Sequence, residues 1–559
     1  MPGPYICIML KNIAQIVVPL PLAGPFDYAV PEQLQDDICV GSRVQVSFAR
    51  RKCVGFVVGF AGTSSFPKLN PVLAVLDEEP AFDEGLLRFA HEFALHFGCS
   101  KGEALELFLP AALRKARKLI APARKKTARR PARKKSENKV FFDEGLTKRW
   151  DYILPRVKET LARGESVICL APDGVVLEDV FPRLAPLADK EDRLLLTHGV
   201  EKEELEHWMR VRFGDCRLIA GFISAVLAPM RDLGLILIFD EESHSYKHDQ
   251  SPFYQAREAA FLRAGIEGCD VVAVTSAPSL ELWHRVAEGE VELVTLKDTV
   301  APVKLVDLTN FKMKKDRQLS PPLCQALERG GKVLLYVPAA RGTAGVVEEA
   351  RARFPAAKVF GYEKTSTALP RDFDILVATQ AVFRHRSSLR FDLSALLDID
   401  WEFHKMDYRA AHGAFTLIQH LRQMTTGLVL LQTRHVQNEH LHDFVSGDHE
   451  AFFRRELASR KEMGLPPFAW CVAIVLRSAD PKLACEEAKV LYDKMCALPH
   501  EGVELMEPQP DRSAIVRGKF RYCVMAQGKD LPSVMAVVKE SLRTFRRKRD
   551  VVVTVNVNP

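Results

Sequence analysis

The sequence has no C-x-x-C pair, no G-x-x-x-x-G-K-[ST] loop and no apolar run near the ~18 residues of a membrane span. Each absence excludes something. The 12 cysteines stand apart, from Cys7 to Cys523, so a clustered-thiolate zinc site is not expected. The start, "MPGPYICIMLKN", has a short apolar patch but no basic residues before it and no small-residue cleavage site, so no signal peptide and no membrane partner are expected. Scattered thiols in a chain of 559 residues then point to a reducing, cytoplasmic setting. The missing glycine-lysine loop matters most. Its backbone N–H groups surround phosphate and its lysine neutralises the β/γ charge.

What is present is ordinary in bulk and uneven in layout. Hydrophobic residues make up 47% and charged residues 27%, as in a globular protein. The net charge of +6 hides a basic block, "RKARKLIAPARKKTARRPARKKSENK", with 13 Lys/Arg against one acid. The block has no hydrophobic period, so residues 115–139 read as a flexible linker. It is either a solvated spacer or an arm that neutralises DNA phosphates, with Lys125, Lys126, Arg129 and Arg130 as contacts.

Hydrophobic periodicity divides the rest. Residues 1–80 carry short β runs such as "RVQVSF" and "CVGFVVGF", and residues 81–114 switch to helical spacing. Residues 140–298 and 299–438 each alternate helices with buried-strand runs, which predicts two consecutive parallel-sheet α/β lobes. Residues 439–559 read as a final α+β domain.

The run "LGLILIFDEESHSYKHD" begins at Leu233. A buried strand ending in Asp240 and Glu241 is how nucleotide-driven motors hold Mg²⁺ and activate water. The same acids also suit helix capping after a strand.

These modules in this order resemble the primosomal protein N′ (PriA) family of bacterial replication-restart helicases. "VPLPLAGPFDYAVPEQL" resembles the family's 3′-end-binding domain, and "LDEEPAFDEGLLRFA" its winged-helix region. "LIAGFISAVLAPMRDLGLILIFDEESHSYKHDQSPFYQAREAAF" follows its first helicase lobe, and "ILVATQ" with "MDYRAAHGAFTLIQ" its second. "FFRRELASRKEMGLPPF" and "VNVNP" resemble its end. The resemblance implies a superfamily 2 architecture: a small β domain, a winged-helix-like module, two tandem RecA-like lobes and a C-terminal α+β domain. It also implies ATP and zinc as cofactors. The departures argue against both here. The phosphate-loop region reads "FFDEGLTKRW", with Asp143 and Glu144 set to repel phosphate. "HLRQMTTG" leaves Arg422 displaced from the arginine-finger positions, and the zinc insert is deleted from lobe two.

The expected protein is therefore a pseudo-helicase with vestigial Asp240 and Glu241, no cofactor and no metal. It would bind branched or single-stranded DNA at the nucleoid. It would work with primosome proteins, single-strand-binding protein and a helicase loader. The alternative is an active ATP-dependent 3′→5′ DNA helicase. By resemblance, Phe26, Asp27, Tyr28 and Gly41 form a pocket for a DNA 3′ end. A carboxylate there accepts a 3′-hydroxyl and an aromatic ring stacks on the base. Lys68 lies near the family's lysine position, which Asn70 occupies. Tyr246, Lys247, Tyr254 and Arg257 match an aromatic-rich DNA-sensing loop and are either DNA contacts or packing residues.

Overall fold

The alternating pattern of "RVQVSF" buries Val44 and Val46 completely and so fixes one face of an antiparallel sheet. In the computed structural model, residues 12–120, 137–143, 148–196, 200–214, 216–297, 299–311, 318–405 and 407–559 are described. The first sheet has five strands, in the order Phe26–Ala29, Ile13–Val17, Arg51–Ala61, Arg43–Phe48 and Ala74–Val75.

Residues 81–114, expected as a winged-helix-like module, form the helices Glu84–Phe97 and Lys101–Leu107 and a 3-10 turn, Ala111–Arg114, with no strand among them. Asp83 caps the first helix by accepting from the Leu86 N–H at 3.0 Å, and Gly98 ends it in the left-handed region at φ 71°. The second opens with a capping box of Ser100 and Glu103. The phenylalanines on these helices do not make a core of their own. Phe93 packs against Tyr254 of the next domain with ring centroids 5.3 Å apart, and one continuous core joins the helices to the first lobe.

The β domain is tied to this helical segment by the Ser100 hydroxyl, which donates to the Leu20 carbonyl at 2.7 Å, by the Phe56–Phe82 ring contact and by a buried arginine. Arg43, fully buried, donates to Asp77 at 2.6 Å, to the Leu113 carbonyl at 2.6 Å and to the Arg117 carbonyl at 3.0 Å.

Lobe one is a seven-stranded parallel sheet in the order Glu292–Leu296, Asn138–Asp143, Asp270–Thr275, Leu233–Phe239, Ser166–Leu170, Leu218–Gly221 and Arg193–Leu196. Strands covered by helices on both faces read as unbroken apolar runs, and all seven residues of "LGLILIF" are buried. Lobe two is a six-stranded parallel sheet with Thr425–Thr433, Phe391–Leu396 and Val333–Tyr336 at its centre. Two doubly wound RecA-like lobes thus stand side by side. The lobes touch through His412, which meets the Pro278 carbonyl at 2.8 Å, and Trp283 of lobe one stacks on Phe453, in the helix His449–Glu462 that follows lobe two, at 4.1 Å. The chain ends in a four-stranded antiparallel sheet backed by the helices Pro481–Cys496 and Leu531–Thr544.

Candidate DNA-end site and interlobe cleft

The cleft is built where the central strands of lobe one end. The strand Asn138–Asp143 delivers Asp143, fully buried, to the start of the helix Arg149–Ala162. There Asp143 Oδ2 accepts the Arg149 backbone N–H at 3.0 Å. A helix N-terminus is where a phosphate would settle, and here a carboxylate of the chain already sits on it. The Arg149 side chain folds over Trp150 and Phe239, 5.3 and 5.5 Å from their ring centres, and its Nε and Nη1 are buried without a hydrogen-bond partner among the described residues.

The next strand ends in Asp240, whose backbone turns left-handed at φ 48°. Its carboxylate forms an ion pair with Arg386 of lobe two. Burial pushes the Asp240 carboxyl up, but the charges of Arg386 and Arg149 outweigh it and hold the group below the usual carboxylate range. Arg386 also meets His420 Nε2 at 2.8 Å. Burial and the Arg386 charge push His420 down to about 3, so it is neutral and accepts.

Glu241 is fully used inside lobe one. It accepts from the Ser279 N–H at 2.6 Å, the Ser279 hydroxyl at 2.9 Å and Arg257 at 2.8 Å. Glu242 accepts from Thr275 Oγ1 at 2.6 Å. Burial, then the charges of Asp240 and Glu241, push its carboxyl up to about 8. A group raised in this way adds stability that is complete below the ordinary value of 4.5 and is lost as pH climbs towards 8. Wild type is therefore expected to lose on the order of 3 kcal/mol relative to Glu242→Gln between those limits. Urea midpoints of both proteins across that range check it, and a pH-independent difference would contradict it.

The residues expected at the DNA end separate onto two faces. Successive strand residues point to opposite sides of a sheet. Phe26 and Tyr28 therefore face the core, where Phe26 packs on Phe48 at 5.0 Å and the Tyr28 hydroxyl donates to the Ser47 carbonyl at 3.1 Å. Burial, then the nearby Cys53, push that phenol up to about 12. Asp27 alone points outward and accepts from the Ser64 hydroxyl at 2.6 Å. Gly41 has φ 91°, and a Cβ there would lie 2.0 Å from the Phe82 carbonyl oxygen. The close approach seen there is that of the chain itself. Lys68 and Asn70 are exposed.

Residues 15–110 match the PriA 3′ DNA-binding domain (3′BD). The chain is 23% identical to a replication restart protein PriA of Treponema pallidum over 98% of its own length and 99% of that protein's. The chain is similar to the PriA family along nearly its whole length. A PriA of Rickettsia conorii is 22% identical over 92% of this chain and 94% of its own. A solved structure of RecG bound to a three-way DNA junction covers 58% of this chain and 42% of that one, at 14% identity and a TM-score of 0.36.

Against the PriA pattern, the loop after Glu242 is corrected from DNA contacts to internal ties. Tyr246 is fully buried and donates to the Phe239 carbonyl at 2.8 Å. Tyr254 is buried against Phe93. Lys247 Nζ donates to the carbonyls of Val557 and Asn558 at 2.8 and 3.1 Å, and burial, then the Arg409 charge, push it down to about 7. Arg257 is buried on Glu241 and also lies 3.3 Å from Glu258. Lys125, Lys126, Arg129 and Arg130 lie outside the described residues. Among the described residues, no three His, Cys, Asp or Glu side chains converge as a metal site, and no helix is long and apolar enough to cross a membrane.

Proposed function

We propose that this PriA-like chain acts in replication restart as a DNA-binding platform that does not turn over ATP. It recognises branched DNA with a free 3′ end and presents that fork to primosome proteins, single-strand-binding protein and a helicase loader. Its two RecA-like lobes serve as scaffold. The replication-restart role is supported by the family and by the 3′ DNA-binding domain over residues 15–110.

One observation carries the loss of turnover. The acid that would hold magnesium, Asp240, is paired across the lobes with Arg386, while Asp143 occupies the helix N-terminus that would receive phosphate. A magnesium–nucleotide complex would have to displace both, in a chain that also lacks the glycine-lysine loop. Phosphoryl transfer depends on those parts for most of its transition-state stabilisation. Zinc has no place in this reading, because the cysteines remain scattered.

The test is a DNA-stimulated ATPase assay and an ATP titration on the full chain, with Asp240→Asn as control. We expect no saturable ATP binding and no phosphate release above background in either protein. Turnover that Asp240→Asn abolishes would overturn the proposal in favour of an ATP-dependent 3′→5′ helicase.

A further inference from the structure

The strand Val552–Val557 pairs with Trp470–Ser478 in the C-terminal sheet, and the chain after it meets both lobes. From lobe one, Lys247 Nζ donates to the carbonyls of Val557 and Asn558 at 2.8 and 3.1 Å. From lobe two, Arg409 Nη2 donates to the Pro559 carbonyl at 2.9 Å. Asn558 ties the same segment to its own sheet. Its N–H donates to the Cys471 carbonyl at 2.7 Å, and its Oδ1 accepts the Cys471 N–H at 3.0 Å. Its φ of 46° is a left-handed value that asparagine adopts more readily than most residues. Both anchors are themselves held. Tyr246, next to Lys247, is buried on the Phe239 carbonyl, and Arg409 opens the helix Ala410–Met424. The anchors carry like charges, and the Arg409 charge is felt at Lys247. Glu281 also faces Arg409, but Arg257 lies 3.6 Å from it and shares its charge.

We propose that Val557–Pro559 is a strap that holds the two lobes together, its carbonyls joining a cation of one lobe to a cation of the other. Three main-chain oxygens accept from Lys247 and Arg409, so the strap satisfies both charges at once. With the strap withdrawn, an ammonium on lobe one and a guanidinium on lobe two face each other in a half-buried gap. Like charges there are poorly screened and repel. Withdrawal therefore drives the lobes apart, where loss of a neutral contact would only loosen them. Because Asn558 is bonded to Cys471, a displacement of the C-terminal sheet pulls on the strap and becomes a hinge motion of the lobes. The device needs no nucleotide. It lets a chain with an idle motor fold still change shape when its C-terminal domain is moved.

Hydrogen exchange on the full chain tests this, read at the amides flanking the His412–Pro278 contact between the lobes and along Trp470–Ser478. Asn558→Pro removes the N–H and forbids the left-handed turn. It should raise exchange between the lobes about tenfold, the worth of one hydrogen bond to a charged group, while Trp470–Ser478 stays protected. Asn558→Gly keeps the turn and should stay within about twofold of wild type. Lys247→Met alone should also raise exchange. In the Asn558→Pro background the same change should lower it, because it removes one of the two repelling charges. That reversal of sign belongs to the strap and not to a simple packing role. If Asn558→Pro leaves the lobes as tight as wild type, or Lys247→Met raises exchange in both backgrounds, the strap is refuted. Should Asn558→Pro unfold the C-terminal sheet, Lys247→Met/Arg409→Met decides the matter. Exchange below the product of the two single effects supports the strap, and a simple product refutes it.

Discussion

Arg386→Ala is expected to cost about 3–5 kcal/mol, the usual penalty for stranding a buried carboxylate. The carboxylate is Asp240, which among the described residues has no hydrogen-bond donor other than Arg386. The loss should appear in the lobes first. Hydrogen exchange should rise along the cleft, at Phe239–Glu242 and around His420, which Arg386 also contacts. The double variant Asp240→Asn/Arg386→Met removes both charges and should recover most of the loss, because a buried pair contributes little over neutral groups that fill the same space. Urea unfolding of the single and double variants measures this. A cost below about 1 kcal/mol for Arg386→Ala would mean that the pair is wet and does not join the lobes.

Arg43→Ala should cost a similar amount, about 3–5 kcal/mol, for a different reason. Both partners of the Arg43–Asp77 pair are completely buried, and the guanidinium also satisfies the carbonyls of Leu113 and Arg117. Removing it leaves the Asp77 carboxylate without its counter-charge, held by the residue 43 backbone N–H, and strips the Leu113 and Arg117 carbonyls of their donor. The segment 111–120 should then detach from the β domain and become sensitive to protease, while the lobes stay folded. Limited proteolysis followed by fragment mass reads this directly. Uniform loss of the whole chain's resistance would show that the tie is global.

The two lobes were legible because parallel strands are covered on both faces. "LGLILIF", "VVAVTSA" and "LVLLQT" are apolar without alternation, and that pattern has few other readings. The place of Asp143 at the end of its strand was legible too, because "NKVFFD" is an apolar run closed by an acid, while Glu144 lies outside the described residues. What occupies the cleft was not. Arg386 lies 146 residues from Asp240, and no local period encodes such a pairing. Nor does the run "FFDEGLTKRW" show that the Arg149 side chain folds over Trp150 and Phe239.

The division of the DNA-end residues between two faces has a reason the sequence did contain. Neighbours in a strand point to opposite faces, so Phe26 and Asp27 stand on opposite sides of the sheet. Ser64, the partner of Asp27, sits in the loop "GTSSFPKLN", where nothing in the spacing shows that the chain returns to Asp27. The buried Tyr246 and Arg257 and the half-buried Lys247 were ambiguous because aromatic and basic residues serve packing and DNA contact equally well.

Arg149 and Arg386 saturate the acid between the lobes. Both guanidiniums lie close enough to Asp240 to hold its carboxyl below the usual carboxylate range, so a further cation brought there would meet two positive charges for one negative. The junction is thus tuned to a single anion, and a change at any of the three groups shifts the balance felt by the other two.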